Sequence, residues 1–183
     1  FRALLMGVDE FRACEHLKAD EKESILWAVK TVRTLCSGEE VIADKNRCAF
    51  PQWHPRVTGG EADCLCPALG KLFDLKSGQI RNYWEQQASY AKSFMEREFL
   101  DEITCHLLYC DQQQIVTRKF TYREAISIVN GVVDTVDRGG GPRLCDYCGW
   151  CASQDTCPLR NRAAQEMLTL AEAGTLEESF AEI

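Results

Sequence analysis

The chain has 183 residues, of which 45% are hydrophobic and 27% charged, and these proportions suit one compact domain with a small appendage. The sequence contains no run of about 18 apolar residues, which excludes the usual signal of a membrane-spanning helix. The formal net charge of −7 argues against a protein that coats nucleic acid electrostatically, but it is compatible with an enzyme that contacts DNA through a local basic site.

The chain begins at Phe1 rather than Met, so we expect its natural start to lie upstream. It contains 11 cysteines, an odd number, and no secretory signal is visible, which favours a reducing, cytoplasmic environment over a disulfide scaffold. Several cysteines stand in apolar or strand-like contexts and are expected to be buried as small hydrophobic residues. They are Cys36, Cys48, Cys64, Cys105 and Cys110.

The first half of the chain predicts a helix followed by short strands. Asp20 is predicted to cap the helix, whose apolar residues recur from Ile25 to Leu35 and which ends at Ser37. Alternating and β-branched residues separated by turn signals then predict an antiparallel meander. Its strands cover residues 40–44, 47–53, 56–65 and 71–76.

The second half predicts a long helix, a pair of strands and two further helices. These elements cover residues 80–99, 102–110, 114–120, a helix from 121, and 159–173. The helix at 121 opens on a capping-box pattern, and a glycine run at 139–141 ends it. The order predicts an α/β (α+β) fold with a central mixed β-sheet flanked by helices, divided into a core at 1–138 and a Cys-rich segment with a helix at 139–183 that packs on the core.

Two charged residues interrupt the apolar strand at 71–76. Because residues two apart on a strand face the same side, Asp74 and Lys76 share one face. Glu61 and Asp63 are predicted to share a face of the preceding strand, and a turn at 67–70 would bring Asp63 close to Asp74. Paired carboxylates are ligands for a hard cation such as Mg²⁺, and a neighbouring lysine can orient water or stabilise phosphate charge.

Three motifs in this region occur in a fixed order: GEAD at 60–63, FDLKSG at 73–78 and QQASYA at 86–91. The combination resembles the PD-(D/E)xK nuclease superfamily, and most closely its RecB-like exonuclease branch, which includes phage-type and CRISPR-associated enzymes. The resemblance covers about residues 40–157. It implies a restriction-endonuclease-like core and Mg²⁺- or Mn²⁺-dependent hydrolysis of DNA phosphodiester bonds.

The resemblance also implies the roles of individual residues. Asp63, Asp74 and the carbonyl of Leu75 would bind the metal, and Lys76 would be the catalytic lysine. The helix that follows would shape the site and touch DNA. Gln86, the implied catalytic residue, and Tyr90, an implied substrate contact, lie on this helix. Gln87 and Arg81 are further candidates for binding substrate, Arg81 as a phosphate contact.

The early histidine motif of RecB-like members is missing from this chain. His16 and Glu61 are the candidates for a further metal ligand, and Glu10, Glu15 and Glu40 are alternatives. This departure leaves a second hypothesis open, in which the chain is a non-catalytic DNA-binding or assembly module with a degenerate nuclease fold.

The segment at 144–158 carries four closely spaced cysteines, in the order Cys145-x2-Cys148-x2-Cys151-x5-Cys157. Such thiolates can bind Zn²⁺, hold an iron–sulfur cluster or remain free. The spacing of the last three resembles the segment that binds [4Fe–4S] in AddB-type and CRISPR-associated nucleases. By that resemblance the fourth ligand is Cys14, with Cys145 as the local substitute. The expected partners are DNA and recombination or repair proteins, and an oligomer is compatible with the sequence.

Overall fold

The computed structural model describes residues 1–43, 46–48, 50, 53–55, 59–140, 144 and 154–172. The chain divides into two compact units, Phe1–Arg138 and Gly139–Ile183. Within the described ranges, none of the helices combines the length and the apolar character that crossing a bilayer requires.

The first unit mixes helices and strands, and the second contributes one described helix. The helices of the first unit are α1 (Arg2–Leu5), α2 (Glu10–Ala13), α3 (Ala19–Cys36), α4 (Trp84–Glu98) and α5 (Tyr122–Asp137). Its strands are β1 (Arg47–Cys48), β2 (Gly60–Glu61), β3 (Cys64–Cys66), β4 (Lys71–Lys76), β5 (Glu102–Tyr109) and β6 (Gln114–Thr121). In the second unit, α6 covers Pro158–Glu172.

The main sheet has four strands in the order β3-β4-β5-β6. The β4 and β5 strands run parallel, with Phe73 opposite His106, while β3 with β4 and β5 with β6 pair antiparallel. The parallel pair is joined through α4, because parallel strands need a long crossover connection. The prediction of a mixed sheet flanked by helices is therefore confirmed.

Both faces of the sheet are covered, and β4 supplies side chains to each. Leu72 belongs to the cluster formed with α4 and α5, whereas the next residue, Phe73, belongs to the cluster formed with α3. Successive strand residues point to opposite faces, so Asp74 projects on the same side as Leu72, toward α4. Full burial of a side chain the size of Phe73 stabilises the fold by about 1.5–3 kcal/mol. This packing holds the strand that carries Asp74.

Where the structure describes the predicted meander, it differs from the prediction, and residues 44, 49, 51, 52 and 56–58 of the predicted strands lie outside the described residues. In 40–44 Ile42 makes an isolated bridge to Leu65, and the strand described in 47–53 is β1. The strand predicted at 56–65 is divided, because β2 pairs with β1 whereas β3 pairs with β4. The chain bends at Asp63 between these two partners. Glu61 and Asp63 therefore do not lie on one continuous strand, which corrects the prediction.

Two helix starts also differ from the prediction. Lys18, not Asp20, is the N-cap of α3, and its backbone N–H donates to the Glu21 carboxylate at 2.9 Å. The helix predicted from residue 80 begins at Trp84, because the preceding loop is held in a non-helical conformation by Tyr109 of β5 and by Asp111 of the β5–β6 connection. By contrast, the Thr121 hydroxyl accepts from the Glu124 N–H at 3.3 Å, as the capping pattern predicts.

The cysteines that were expected to be buried are all buried, and Cys66 joins them. Burial raises the pKa of the Cys48 and Cys110 thiols to about 11, so these groups remain protonated at neutral pH. They act as small apolar residues of the two core clusters, in line with the sequence analysis.

His106 is a core residue of β5. Its ring stacks on Phe73 with centroids 4.9 Å apart, and its Nδ1 lies 2.9 Å from the Thr117 hydroxyl. Burial lowers the pKa of His106 to about 4, and repulsion from Lys71 acts in the same direction. The imidazole is therefore neutral at pH 7 and serves packing.

The depressed pKa of His106 makes stability depend on pH. Between about pH 6.5 and pH 4 the unfolded chain binds this proton more readily than the folded chain, so stability falls as the pH drops through that window. Relative to a His106→Asn variant, the wild type should lose about 1–2 kcal/mol more in unfolding free energy from pH 7 to pH 5. Urea unfolding at a series of pH values measures the difference.

The exposed His16 provides the control for this measurement. Since His16→Asn leaves the stack of His106 on Phe73 intact, it should retain the contribution of His106 to the pH dependence. Equal pH dependence for the wild type and His106→Asn would contradict the role assigned to His106.

Candidate active site

Two aspartates meet at the end of the β3–β4 pair. Cys64 lies opposite Phe73, and the antiparallel register therefore places Asp63 beside Asp74, one position further along. The Asp63 carboxylate accepts the backbone N–H of Leu75 through Oδ2 at 2.7 Å. This bond ties the bend at Asp63 to β4 and fixes its carboxylate next to that of Asp74.

Asp74 is the buried member of this pair, with 5% of its surface exposed. Its Oδ2 accepts from the ammonium of Lys76 at 2.6 Å and from Nε2 of Gln87 at 2.8 Å. Burial raises the pKa of Asp74, the positive charge of Lys76 opposes that effect, and the nearby charge of Asp63 adds to it. Both donors end on Oδ2, so the described residues leave Oδ1 available to a further ligand.

Lys76 connects the buried carboxylate to the surface. Its ammonium donates to Oε1 of Gln86 at 3.1 Å and lies 4.3 Å from the centroid of the Tyr83 ring. Gln86 in turn donates through Nε2 to the Tyr90 hydroxyl at 3.0 Å. The sequence predicted that Asp74 and Lys76 share a face, and the ion pair between them confirms it. The ammonium is thus held by three side chains while it remains partly exposed.

Neighbouring residues of α4 have different surroundings. Gln86 is exposed and contacts Lys76, whereas Gln87 is fully buried beneath Asp74. Tyr90 is also buried, and its ring packs near Phe50. Gln87 therefore supports the Asp74 carboxylate and Tyr90 supports Gln86 from within the fold, whereas the Gln86 side chain is exposed. The contact of these residues with DNA stays a prediction.

Gly60 allows the Tyr90 ring to approach β2. A Cβ atom at this position would lie 2.7 Å from Cε1 and 2.7 Å from the hydroxyl of Tyr90, closer than such atoms pack. The glycine of the GEAD motif is therefore required by a specific close contact. Through Tyr90 and Gln86, that contact reaches Lys76.

Arg2 contributes a cation that sequence reasoning missed. Its guanidinium pairs with the Glu61 carboxylate through Nη1, while Nη2 donates to the Ala62 carbonyl at 3.2 Å and lies 3.6 Å from Oδ1 of Asp63. Glu61, predicted as a possible metal ligand, is thus held by Arg2. No periodicity or spacing links Arg2 to a carboxylate 59 residues away, so no sequence signal could have found it.

The sequence also did not predict the hydrogen bonds that fix the loop between β4 and α4. The Gly78 N–H donates to the Asp111 carboxylate at 2.9 Å, and Gln112 donates to the Gly78 carbonyl at 2.6 Å. The Tyr109 hydroxyl accepts from the Arg81 N–H at 3.1 Å and donates to the Arg81 carbonyl at 3.0 Å. The backbone on both sides of the turn is therefore fixed. Arg81, predicted to bind substrate, is half-buried in this loop.

The donor set suits one hard divalent cation. Asp63 and Asp74 supply carboxylate oxygens, and Mg²⁺ is commonly held by one or two carboxylates together with water and substrate phosphate. Within the described ranges no three His, Cys, Asp or Glu side chains form a metal-binding group. His16 is exposed in the turn after α2. A site with two carboxylates fits Mg²⁺ or Mn²⁺ better than Zn²⁺, which usually takes three or four protein ligands.

The cysteine prediction falls largely outside the described residues. Cys145, Cys148 and Cys151 lie outside them, and Cys157 is half-buried just before α6. Cys14, predicted as a fourth ligand, is buried with Leu4 and Val29 in the core of the first unit.

No protein-family model, curated protein or solved structure matches this chain. The assignment of function therefore depends on the site geometry and on the three motifs at 60–91.

The close contact of Gly60 with Tyr90 gives a test of the site architecture. Gly60→Ala should lower the free energy of unfolding by about 1–3 kcal/mol, because the added methyl group overpacks the buried Tyr90 ring. Gly131→Ala is the matched control. Gly131 lies inside α5 with open space around its Cβ position, so alanine there should raise stability by about 0.5–1 kcal/mol. Denaturant unfolding measures both, and a neutral or stabilising Gly60→Ala would contradict the contact.

Proposed function

We propose that the chain is a Mg²⁺- or Mn²⁺-dependent deoxyribonuclease that acts as an exonuclease on linear DNA. The observation that carries this proposal is the joint position of Asp63, Asp74 and Lys76. A partly exposed carboxylate, a buried carboxylate and a held ammonium lie within one small volume at the end of a strand pair. The preference for DNA and the exonuclease class come from the resemblance of the three motifs to RecB-like enzymes.

The carboxylates and Lys76 have different roles in the proposed reaction. When bound, the divalent cation polarises a phosphoryl oxygen and lowers the pKa of a coordinated water. Asp63 and Asp74 would hold it, with the Leu75 carbonyl as the third ligand that the resemblance implies. Lys76, oriented by Asp74 and Gln86, donates hydrogen bonds to the attacking water or to a non-bridging phosphate oxygen, where negative charge develops.

Burial of Asp74 strengthens this arrangement. Charges interact more strongly where water is excluded, so the buried carboxylate attracts cations more strongly than an exposed one would. Gln87 orients Asp74 from below with a hydrogen bond of 2.8 Å, and Tyr90 orients Gln86 from the side. Preorganised groups of this kind contribute most when they do not move during the reaction.

Loss of either central residue should abolish cleavage while the fold survives. Lys76→Ala removes the ammonium, and Asp74→Asn keeps an oxygen that can accept from Lys76 and Gln87 while it removes the charge. Each should slow Mg²⁺-dependent degradation of end-labelled linear DNA by about 10²–10³-fold or more. Lys119→Ala is the control, since Lys119 is an exposed lysine paired with Glu102 on the surface of the sheet.

Several outcomes of this assay are informative. Covalently closed circular DNA should resist, because an exonuclease needs an end. Equal cleavage by Lys76→Ala, Asp74→Asn and Lys119→Ala would contradict the proposal, provided that circular dichroism shows folded proteins. A folded wild type that binds DNA but never cleaves it, with either cation, would instead establish the non-catalytic DNA-binding or assembly module.

We further propose that the segment containing Cys148, Cys151 and Cys157 holds a [4Fe–4S] cluster, with Zn²⁺ as the alternative occupant. Clustered thiolates bind such soft centres, and the choice of [4Fe–4S] comes from the resemblance of this segment to that of AddB-type and CRISPR-associated nucleases. Protein purified without oxygen should show the visible absorption of an iron–sulfur cluster, and Cys148→Ala should lose it. The buried Cys110→Ala is the control and should keep it. Colourless protein with one zinc per chain by metal analysis would replace the cluster with Zn²⁺, and metal-free protein would contradict both.

A further inference from the structure

The carboxylates of the candidate site are flanked by a protein cation at each end. Lys76 pairs with Asp74 on the α4 side. Arg2 pairs with Glu61 and approaches Asp63 on the opposite side. Enzymes that hydrolyse phosphodiesters with two metals place them about 3.5–4 Å apart, so that one cation stabilises the attacking oxygen and the other the leaving oxygen. Here the guanidinium of Arg2 lies beside the second pair of carboxylates, Glu61 and Asp63.

The contacts of Arg2 resemble those of a bound cation. It makes an ion pair with one carboxylate, approaches a second, and donates to the Ala62 carbonyl that lies between them. A divalent ion at this point would use the same oxygens of Glu61 and Asp63. Arginine stays charged at all physiological pH values and matches carboxylates geometrically, so it is a permanent occupant.

We propose that Arg2 takes the place of a second divalent cation and restricts the site to a single metal ion. This inference rests on the proposed function, because it assumes that Asp63 and Asp74 bind the first ion. The tethered guanidinium neutralises Glu61 and leaves Asp63 to act with Asp74. Removal of Arg2 exposes an unoccupied pair of carboxylates, Glu61 and Asp63, to a further cation.

The test counts Mn²⁺ ions bound per chain, without DNA, by electron paramagnetic resonance and titration calorimetry. Mn²⁺ prefers oxygen ligands, so it discriminates against the cysteine segment. The unmodified chain should bind one ion, and Arg2→Ala should bind two. Arg2→Lys should bind one, because it retains a cation. The double variant Arg2→Ala/Glu61→Gln should return to one, since the second ion loses a ligand.

Matched controls separate this effect from a general change in charge or fold. Arg138→Ala also removes one positive charge, from an exposed ion pair with Asp134, and should bind one ion. Thermal unfolding verifies that each variant is folded. If Arg2→Ala does not fold, Arg2→Gln, which keeps hydrogen-bond donors toward Ala62, takes its place and should bind two.

Each result decides the inference. One ion in Arg2→Ala with unchanged affinity would overturn it and leave the proposed nuclease intact, and so would two ions in the unmodified chain. No Mn²⁺ in the unmodified chain would overturn the metal-dependent function itself, and this inference with it. A merely structural role of Arg2 would lower the melting temperature without a change in the number of bound ions.

Discussion

The buried charge of Asp74 is the constraint on which the rest of the site depends. A carboxylate with 5% exposure needs compensation, and Lys76 and Gln87 supply it through one oxygen. Gln87 belongs to α4, so the hydrogen bond also sets how this helix lies on the sheet. The same rotation of α4 turns Gln86 toward Lys76. Phe94 of α4 packs in one apolar cluster with Leu72 of β4, and this packing supports the polar contacts between the two elements.

Parts of the chain far from the motifs hold the site together. The loop after β4 is fixed by Tyr109, the last residue of the neighbouring strand β5, and by Asp111 and Gln112, which follow it. The bend at Asp63 is fixed by the Leu75 N–H and approached by Arg2 from the first helix. Since four separate stretches contribute, the geometry exists only in the folded chain. This dependence is typical of sites whose charged groups are preorganised by the fold.

The sequence predicted most of the elements, and the errors fall in the short strands and at the helix starts. Strong periodicity placed β4, β5, β6, α4 and α5 to within a few residues. Shorter elements failed where tertiary partners decide: the strand predicted at 56–65 divides because its two halves pair with different strands. Asp20 is not the cap because the helix begins two residues earlier than predicted, at Ala19, where the Lys18 N–H bonds to Glu21. Local propensity cannot register the division of the strand, since that depends on what packs against the segment.

The sequence by itself determined that Asp74 and Lys76 share a face, and that Gln86 and Tyr90 lie one turn apart on a helix. Those relations follow from the strand and helix periods alone. Only the tertiary structure decided that Gln87 is buried under Asp74, that Gly60 makes room for Tyr90, and that Arg2 forms an ion pair with Glu61. These contacts join residues 13 to 59 positions apart. Contacts at such separations leave no periodic pattern in the sequence, because they are set by how whole elements pack.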